Sequence, residues 1–142
     1  MPGRAIVVWS WVTTAVFAVV AIPAALGVDG LSGPALAVEL GLFTFSLVIW
    51  GWAFATAVVR SAQGDDIVVG NLFGSVGGAP SAVRWHLFGS LTVCVLVAAG
   101  TAVADPFGVL VPMLPLGFIG LWAARHGDFP ARADTRRRAP RT

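Results

Sequence analysis

Long apolar runs alternate with short polar connections along the whole chain. The runs cover about residues 6–26, 36–59, 85–104 and 107–124. Each is close to the roughly 20 residues that a helix needs to cross a hydrocarbon core of about 30 Å. The pattern predicts an all-α fold, a four-transmembrane-helix bundle over residues 1–124, followed by a polar tail over 125–142. The first run follows Arg4 and ends near Pro23-Ala24-Ala25, as a secretory leader does. Its apolar stretch exceeds the roughly 7–15 residues of a leader's core, so it is read as a retained span. Gly27-Val28-Asp29-Gly30 predicts a turn. Pro34 suits the first turn of the second run, where a missing N–H costs nothing. That run ends at Arg60, and its length predicts some tilt.

Residues 61–82 break the pattern, with five glycines and one proline arguing against a regular helix. Ile67, Val68, Val69, Leu72 and Phe73 are too few to cross a bilayer. They predict a loop, 60–84, with a short interfacial segment that dips its apolar side among the headgroups. A re-entrant path would need protein or water around its backbone. Asp105-Pro106 is the whole connection between the third and fourth runs, which predicts a tight antiparallel hairpin. Pro112 and Pro115 each remove a helical hydrogen bond and crowd the preceding turn. They predict that the fourth helix is kinked or broken, with the carbonyls of Gly108 and Val111 deprived of their usual donors. The tail is polar enough to expect disorder.

Charge orients the runs. All nine basic residues are arginines: Arg4, Arg60, Arg84, Arg125, Arg132, Arg136, Arg137, Arg138 and Arg141. Every one precedes the first run, lies between the second and third, or follows the fourth. The other two connections carry only Asp29 and Asp105, with Glu39 just inside a run. This positive-inside pattern predicts a multi-pass protein of a bacterial plasma membrane with both termini cytoplasmic. The six tryptophans agree. Trp9, Trp11, Trp85 and Trp122 lie near arginines, and Trp50 and Trp52 lie in the same half of the second run, as expected of interfacial anchors.

Composition supports the membrane reading: 57% of residues are hydrophobic and 11% charged, against about 25% charged in soluble domains. No basic patch on a folded domain is available for nucleic acid. Arg136, Arg137 and Arg138 read instead as headgroup contacts with anionic lipid. The single Cys94 can form neither an internal disulfide nor a redox pair.

Candidate chemistry is sparse. Glu39 is the one ionisable residue inside a run, and such residues are functional candidates by default. It also lies about one turn inside the helix, where a carboxylate can reach headgroup water and meet the positive end of the helix dipole. Asp65 and Asp66 are adjacent acids, but a cation site needs further oxygens. Solvation, or pairing with Arg60 or Arg84, is the plainer role. His86 and His126 close the basic ends of two runs, and with an aspartate they would make a two-His-one-acid metal set. Each neighbours an arginine, which disfavours a cation. No phosphate loop, zinc motif or activated nucleophile is present, so no enzymatic activity and no cofactor are expected. Small residues four apart recur at Ala37/Gly41, Gly51/Ala55, Gly100/Ala104 and Gly120/Ala124, and in lipid such pairs let helices approach.

The stretches GDDIVVGNLFGSVGGAP, VRWHLFGS and PFGVLVPMLPLGFIGLWAARHGDFPAR, within residues 64–132, resemble small four-span actinobacterial integral membrane proteins with no assigned activity. The resemblance implies a source and brings no catalytic residue. Two functions remain open. One is a non-catalytic accessory, assembly or scaffold subunit that contacts lipid and other membrane proteins. The other is a small homo-oligomeric transporter or channel, for which the broken fourth run speaks and the lack of acids near the midplane speaks against.

Overall fold

A computed structural model describes residues 1–133. The described residues fold as four α-helices, α1 (Arg4–Ala25), α2 (Ser32–Ala62), α3 (Ser81–Thr101) and α4 (Met113–His126). Among the described residues there is no strand, only an isolated antiparallel bridge between Asp65 and Ala131. Counting Pro106–His126 as one span, all four helices are long and apolar enough to cross a membrane, and the chain is a multi-pass membrane protein. At 31 residues α2 is the longest, about 46 Å at 1.5 Å per residue.

The helices do not form an even square. α4 packs chiefly against α2, and α1 chiefly against α3, while α1 and α4 also touch each other. α1 and α4 therefore occupy the middle, with α2 and α3 on the flanks. Burial agrees: 67% of the α4 span is enclosed by protein, against 22% of α2. Leu114, Phe118, Ile119, Leu121 and Trp122 of α4 fill the axis of the bundle. The expected hairpin of the third and fourth spans is thus a connection without a close partnership. A smaller cluster of Phe17, Ala21, Cys94, Ala98 and Val111 fills the end that bears Asp29 and Asp105. We call this the acidic end, and the opposite one the basic end.

The fourth span is broken where the prolines predict. Pro106–Leu110 forms a 3-10 helix, and α4 starts only at Met113, with Pro112 preceding it and Pro115 in its first turn. The two deprived carbonyls do not stay empty. Val111 N–H donates to Gly108 O at 3.1 Å, and Leu114 N–H to Val111 O at 2.9 Å. Each proline's missing donor is replaced by the residue before it, which tightens the turn to 3-10 geometry.

Three other expectations change. The 63–80 connection is not simply an interfacial loop. Gly70–Gly74 forms a π-helical turn and Val76–Gly78 a 3-10 turn, both packed on the basic end of α4. Leu72 and Val76 are buried in the main core, whereas Val68 and Val69 stay exposed. Val76 is left-handed at φ 51°, a costly conformation for a β-branched side chain. It is held there while Gly77, also left-handed, passes so close to Gly127 that a Cβ would lie 2.6 Å from the Gly127 Cα.

The start of the expected disordered tail is ordered. α4 continues to His126, and residues 127–132 lie against the loop. Asp128 N–H donates to Gly77 O at 2.8 Å, Asp66 N–H to Pro130 O at 2.8 Å and Arg132 N–H to Gly64 O at 2.7 Å. The remainder of the tail, with Arg136, Arg137 and Arg138, lies outside the described residues.

Two tryptophans are not interfacial anchors. Trp122 is buried and donates its indole N–H to Pro2 O at 3.0 Å. Trp50 donates to Met113 O at 2.8 Å and stacks on Phe73, with ring centroids 5.2 Å apart. The stacked pair lies over Gly117 and Gly120 of α4, where added Cβ atoms would sit 2.9 Å from Trp50 and 2.6 Å from Phe73. Gly120 thus admits an aromatic ring from the loop. Among the described residues Gly41, Gly51 and Gly100 have no neighbour that a Cβ would meet, so their small-residue pairs are not used there. Between α1 and α3 the polar link is Ser10 to Ser90, hydroxyl to hydroxyl at 2.5 Å. Ser90 gives its own proton to Leu87 O, so Ser10 is the donor.

Candidate functional site

Glu39 is the least expected side chain in the fold. It is 1% exposed, and neither carboxylate oxygen has a hydrogen-bond partner. The sequence expectation of a boundary carboxylate reaching headgroup water is overturned. Rotation of α2 about its axis decides the matter: Ala35, Glu39, Ser46 and Ile49 share the buried face, whereas Leu40, Leu47 and Val48 face outward. Depth along the helix is as expected, but the side chain points into the protein.

Three elements enclose the carboxyl group. α1 supplies Phe17, fully buried. The 3-10 segment supplies Gly108, where an added Cβ would lie 3.5 Å from Glu39 Oε1 and 3.2 Å from the Phe17 ring. The turn after α3 supplies Asp105, near enough to Glu39 for the two acids to interact. Asp105 is half-buried, held by its backbone N–H, which donates to Thr101 O at 2.8 Å. Because the break before α4 turns the chain at Pro106, Asp105 and Gly108 are both brought over the start of α2. Asp105 was legible as an acid on the same side as Glu39, but not as its neighbour.

Two neighbouring carboxyl groups form an arrangement of acceptors. It holds together only with positive charge between them, a proton or a cation. No arginine among the described residues is near enough to serve. Arg4, Arg60, Arg84, Arg125 and Arg132 belong to the basic end, and the ion pair among the described residues is Arg60–Asp65 at 2.8 Å.

The remaining polar candidates lie at the basic end and do not converge. Asp65 pairs with Arg60, and Asp66 is fixed through its backbone. Arg84 is exposed and lines a shallow cleft of about 350 Å³ with Gly74, Ser81, Trp85 and Phe88. His86 lines a separate cleft against Arg4 and Trp11 of α1. His126 tilts against Trp122, ring centroids 5.6 Å apart. Among the described residues no three His, Cys, Asp or Glu side chains gather at metal-binding spacing, so the two-His-one-acid set is not assembled. Pro112 and Pro115 shape the break above the Glu39 site and offer no group of their own. Sequence reasoning missed Phe17 and Gly108, and an apolar ring and a glycine inside spans gave no signal.

No protein-family model, curated protein or solved structure matches this chain.

Proposed function

We propose that the chain is a non-catalytic accessory, assembly or scaffold subunit of a bacterial plasma-membrane complex, with both termini cytoplasmic. The observation that carries this reading is the filled axis. α4 occupies the centre of the bundle with large apolar side chains, so the described residues of a single copy offer packing surface around a filled axis. Most of α2 is left facing outward, with Leu40, Leu47, Val48, Phe54, Val58 and Val59 exposed, a surface for lipid or for a neighbouring membrane protein. The arginines at one end support the orientation. Arg136, Arg137 and Arg138 suit anionic headgroups, each contributing about 1 kcal/mol near the surface. The test is purification from native membranes in mild detergent. A stoichiometric complex with one set of other membrane proteins is expected, and loss of that complex's assembly on deletion of the gene. A homo-oligomer with an internal cavity would instead support the second reading, a small transporter or channel. One observation favours that reading, the buried Glu39 carboxyl beside Asp105.

A further inference from the structure

We propose that the groove between α1 and α2 at the basic end holds one acyl chain of an anionic phospholipid, with the lipid phosphate on Arg125. α1 and α2 are joined at the acidic end by residues 26–31. At the basic end α4 shows between them and forms the floor of a groove, through Phe118 and Leu121, both buried. Ala5 and Trp9 of α1 line one wall and Trp52 of α2 the other, and all three are exposed. Phe45 and Phe118 meet edge to face, with ring centroids 6.3 Å apart, and close the inner end. Arg125 is the one charged residue in the lining.

Size selects the kind of occupant. The groove runs beside α2 from Phe45 to Trp52, about 10 Å at 1.5 Å per residue. Its volume of about 300 Å³ over that length leaves a slot about half as wide as a helix, which is about 10–12 Å across. A neighbouring helix is too thick to enter it. A single hydrocarbon chain is not, and the bilayer supplies such chains along the whole span.

Charge selects the headgroup. The Arg125 Cζ lies 5.0 Å from the centre of the Trp52 ring, which holds the guanidinium at the mouth of the groove. Among the described residues the ion pair is Arg60–Asp65, so Arg125 has no acid of its own. The next acid along the chain, Asp128, is tied by its N–H to Gly77 on the loop. A guanidinium fork matches two phosphate oxygens. Trp50 and Trp122 give their indole N–H groups to carbonyls of the protein. Among the described residues Trp9 and Trp52 have no such acceptor, and indoles at the membrane boundary keep a polar edge for lipid and water. A zwitterionic lipid would bring its own cation against Arg125, whereas an anionic one brings none. The site is separate from the tail arginines, and it does not depend on whether the protein is an accessory subunit.

The test uses the full chain in mild detergent at about 0.5 M salt, where contacts of exposed arginines are screened. Native mass spectrometry and titration with phosphatidylglycerol or phosphatidylcholine read the bound lipid. One phosphatidylglycerol per chain is expected, bound at least about tenfold more tightly than phosphatidylcholine. Arg125→Gln should weaken phosphatidylglycerol at least about tenfold, as loss of a charged hydrogen-bond donor does. Ala5→Phe fills the slot from an exposed position and should abolish retention of either lipid. Arg84→Gln removes an exposed arginine at the same end but outside the groove, and should change nothing. After delipidation all three variants should match the wild-type Tm within about 2 °C, since surface changes seldom cost more. Equal retention of the two lipids would overturn the proposal, and so would retention in Ala5→Phe. An equal loss in Arg84→Gln and Arg125→Gln would reduce the effect to general surface charge and overturn it too. A lipid-free dimer that Ala5→Phe dissociates would give the groove to a second copy of the chain instead.

Discussion

The Arg60 guanidinium donates to the Gly127 carbonyl at 2.7 Å and to the Ala124 carbonyl at 3.1 Å, closing the last turn of α4 from the end of α2. Its Nε also reaches Asp65 at 2.8 Å, and its Cζ lies 5.0 Å from the centre of the Phe129 ring. One residue thus holds α2, the loop, α4 and the segment after it. Hydrogen bonds from a charged donor contribute about 1.5–3 kcal/mol each when partly buried. Arg60→Ala is expected to destabilise the protein by about 2–4 kcal/mol in thermal unfolding. Arg60→Lys should recover less than half, because a single ammonium cannot span the same acceptors. Asp65→Asn should cost under about 1 kcal/mol, since the pair is partly exposed. An alanine variant as stable as wild type would refute this role.

Gly120 and Phe73 should behave as a coupled pair. Gly120→Ala forces a methyl group against the Phe73 ring and is expected to cost about 1–3 kcal/mol. In a Phe73→Ala background the same change should cost little, giving a coupling energy above about 0.5 kcal/mol in a double-mutant cycle. Additive effects would mean that the ring does not occupy that site.

Topology is open to thiol labelling without removing the native cysteine, because Cys94 is fully buried. Ser32→Cys should react with an impermeant reagent on intact cells, and Thr142→Cys only after the membrane is opened. Labelling of position 142 from outside would reverse the orientation inferred from arginine placement.

Truncation separates the two parts of the tail. Removing residues 134–142 should leave Tm within about 1 °C of the full chain. Removing residues 127–142 deletes the Gly127 acceptor and the backbone pairing with Gly64, Asp66 and Gly77, and should lower Tm by several degrees. Changing Arg136, Arg137 and Arg138 to Glu should weaken contact with anionic lipid without altering Tm, and changing them to Lys should leave that contact nearly intact, as a purely electrostatic interaction requires. Equal thermal behaviour of the two truncations would contradict the observed packing of 127–132.

The four spans were legible because a bilayer demands a fixed length of apolar sequence, whatever the neighbours. The break at Pro112 was legible because proline acts on its own backbone. The inward faces were not. Lipid tails are as apolar as leucine, so Leu40 and Leu114 look alike in the sequence although one faces outward and the other is fully enclosed. For the same reason the rotation of α2 that buries Glu39 left no trace in the pattern. Arg60 carried two meanings, and charge placement revealed only the topological one. Phe73 was read as headgroup-facing because its run was short, and the glycine that receives it, Gly120, lies more than 40 positions away in the chain. The meeting of Glu39 with Asp105 depends on how the chain turns at Pro106, which no local signal specifies.

α4 is both the most enclosed helix and the last of the four in chain order. A nascent chain with only α1, α2 and α3 inserted has an empty slot where its keystone belongs. Until the final segment leaves the ribosome, Trp50 has no Met113 carbonyl to bond, Arg60 has no helix end to close, and Asp105 has yet to be turned over Glu39. A stage with three helices therefore lacks the centre of its own core, and the insertion of α4 locks both ends of the bundle at once.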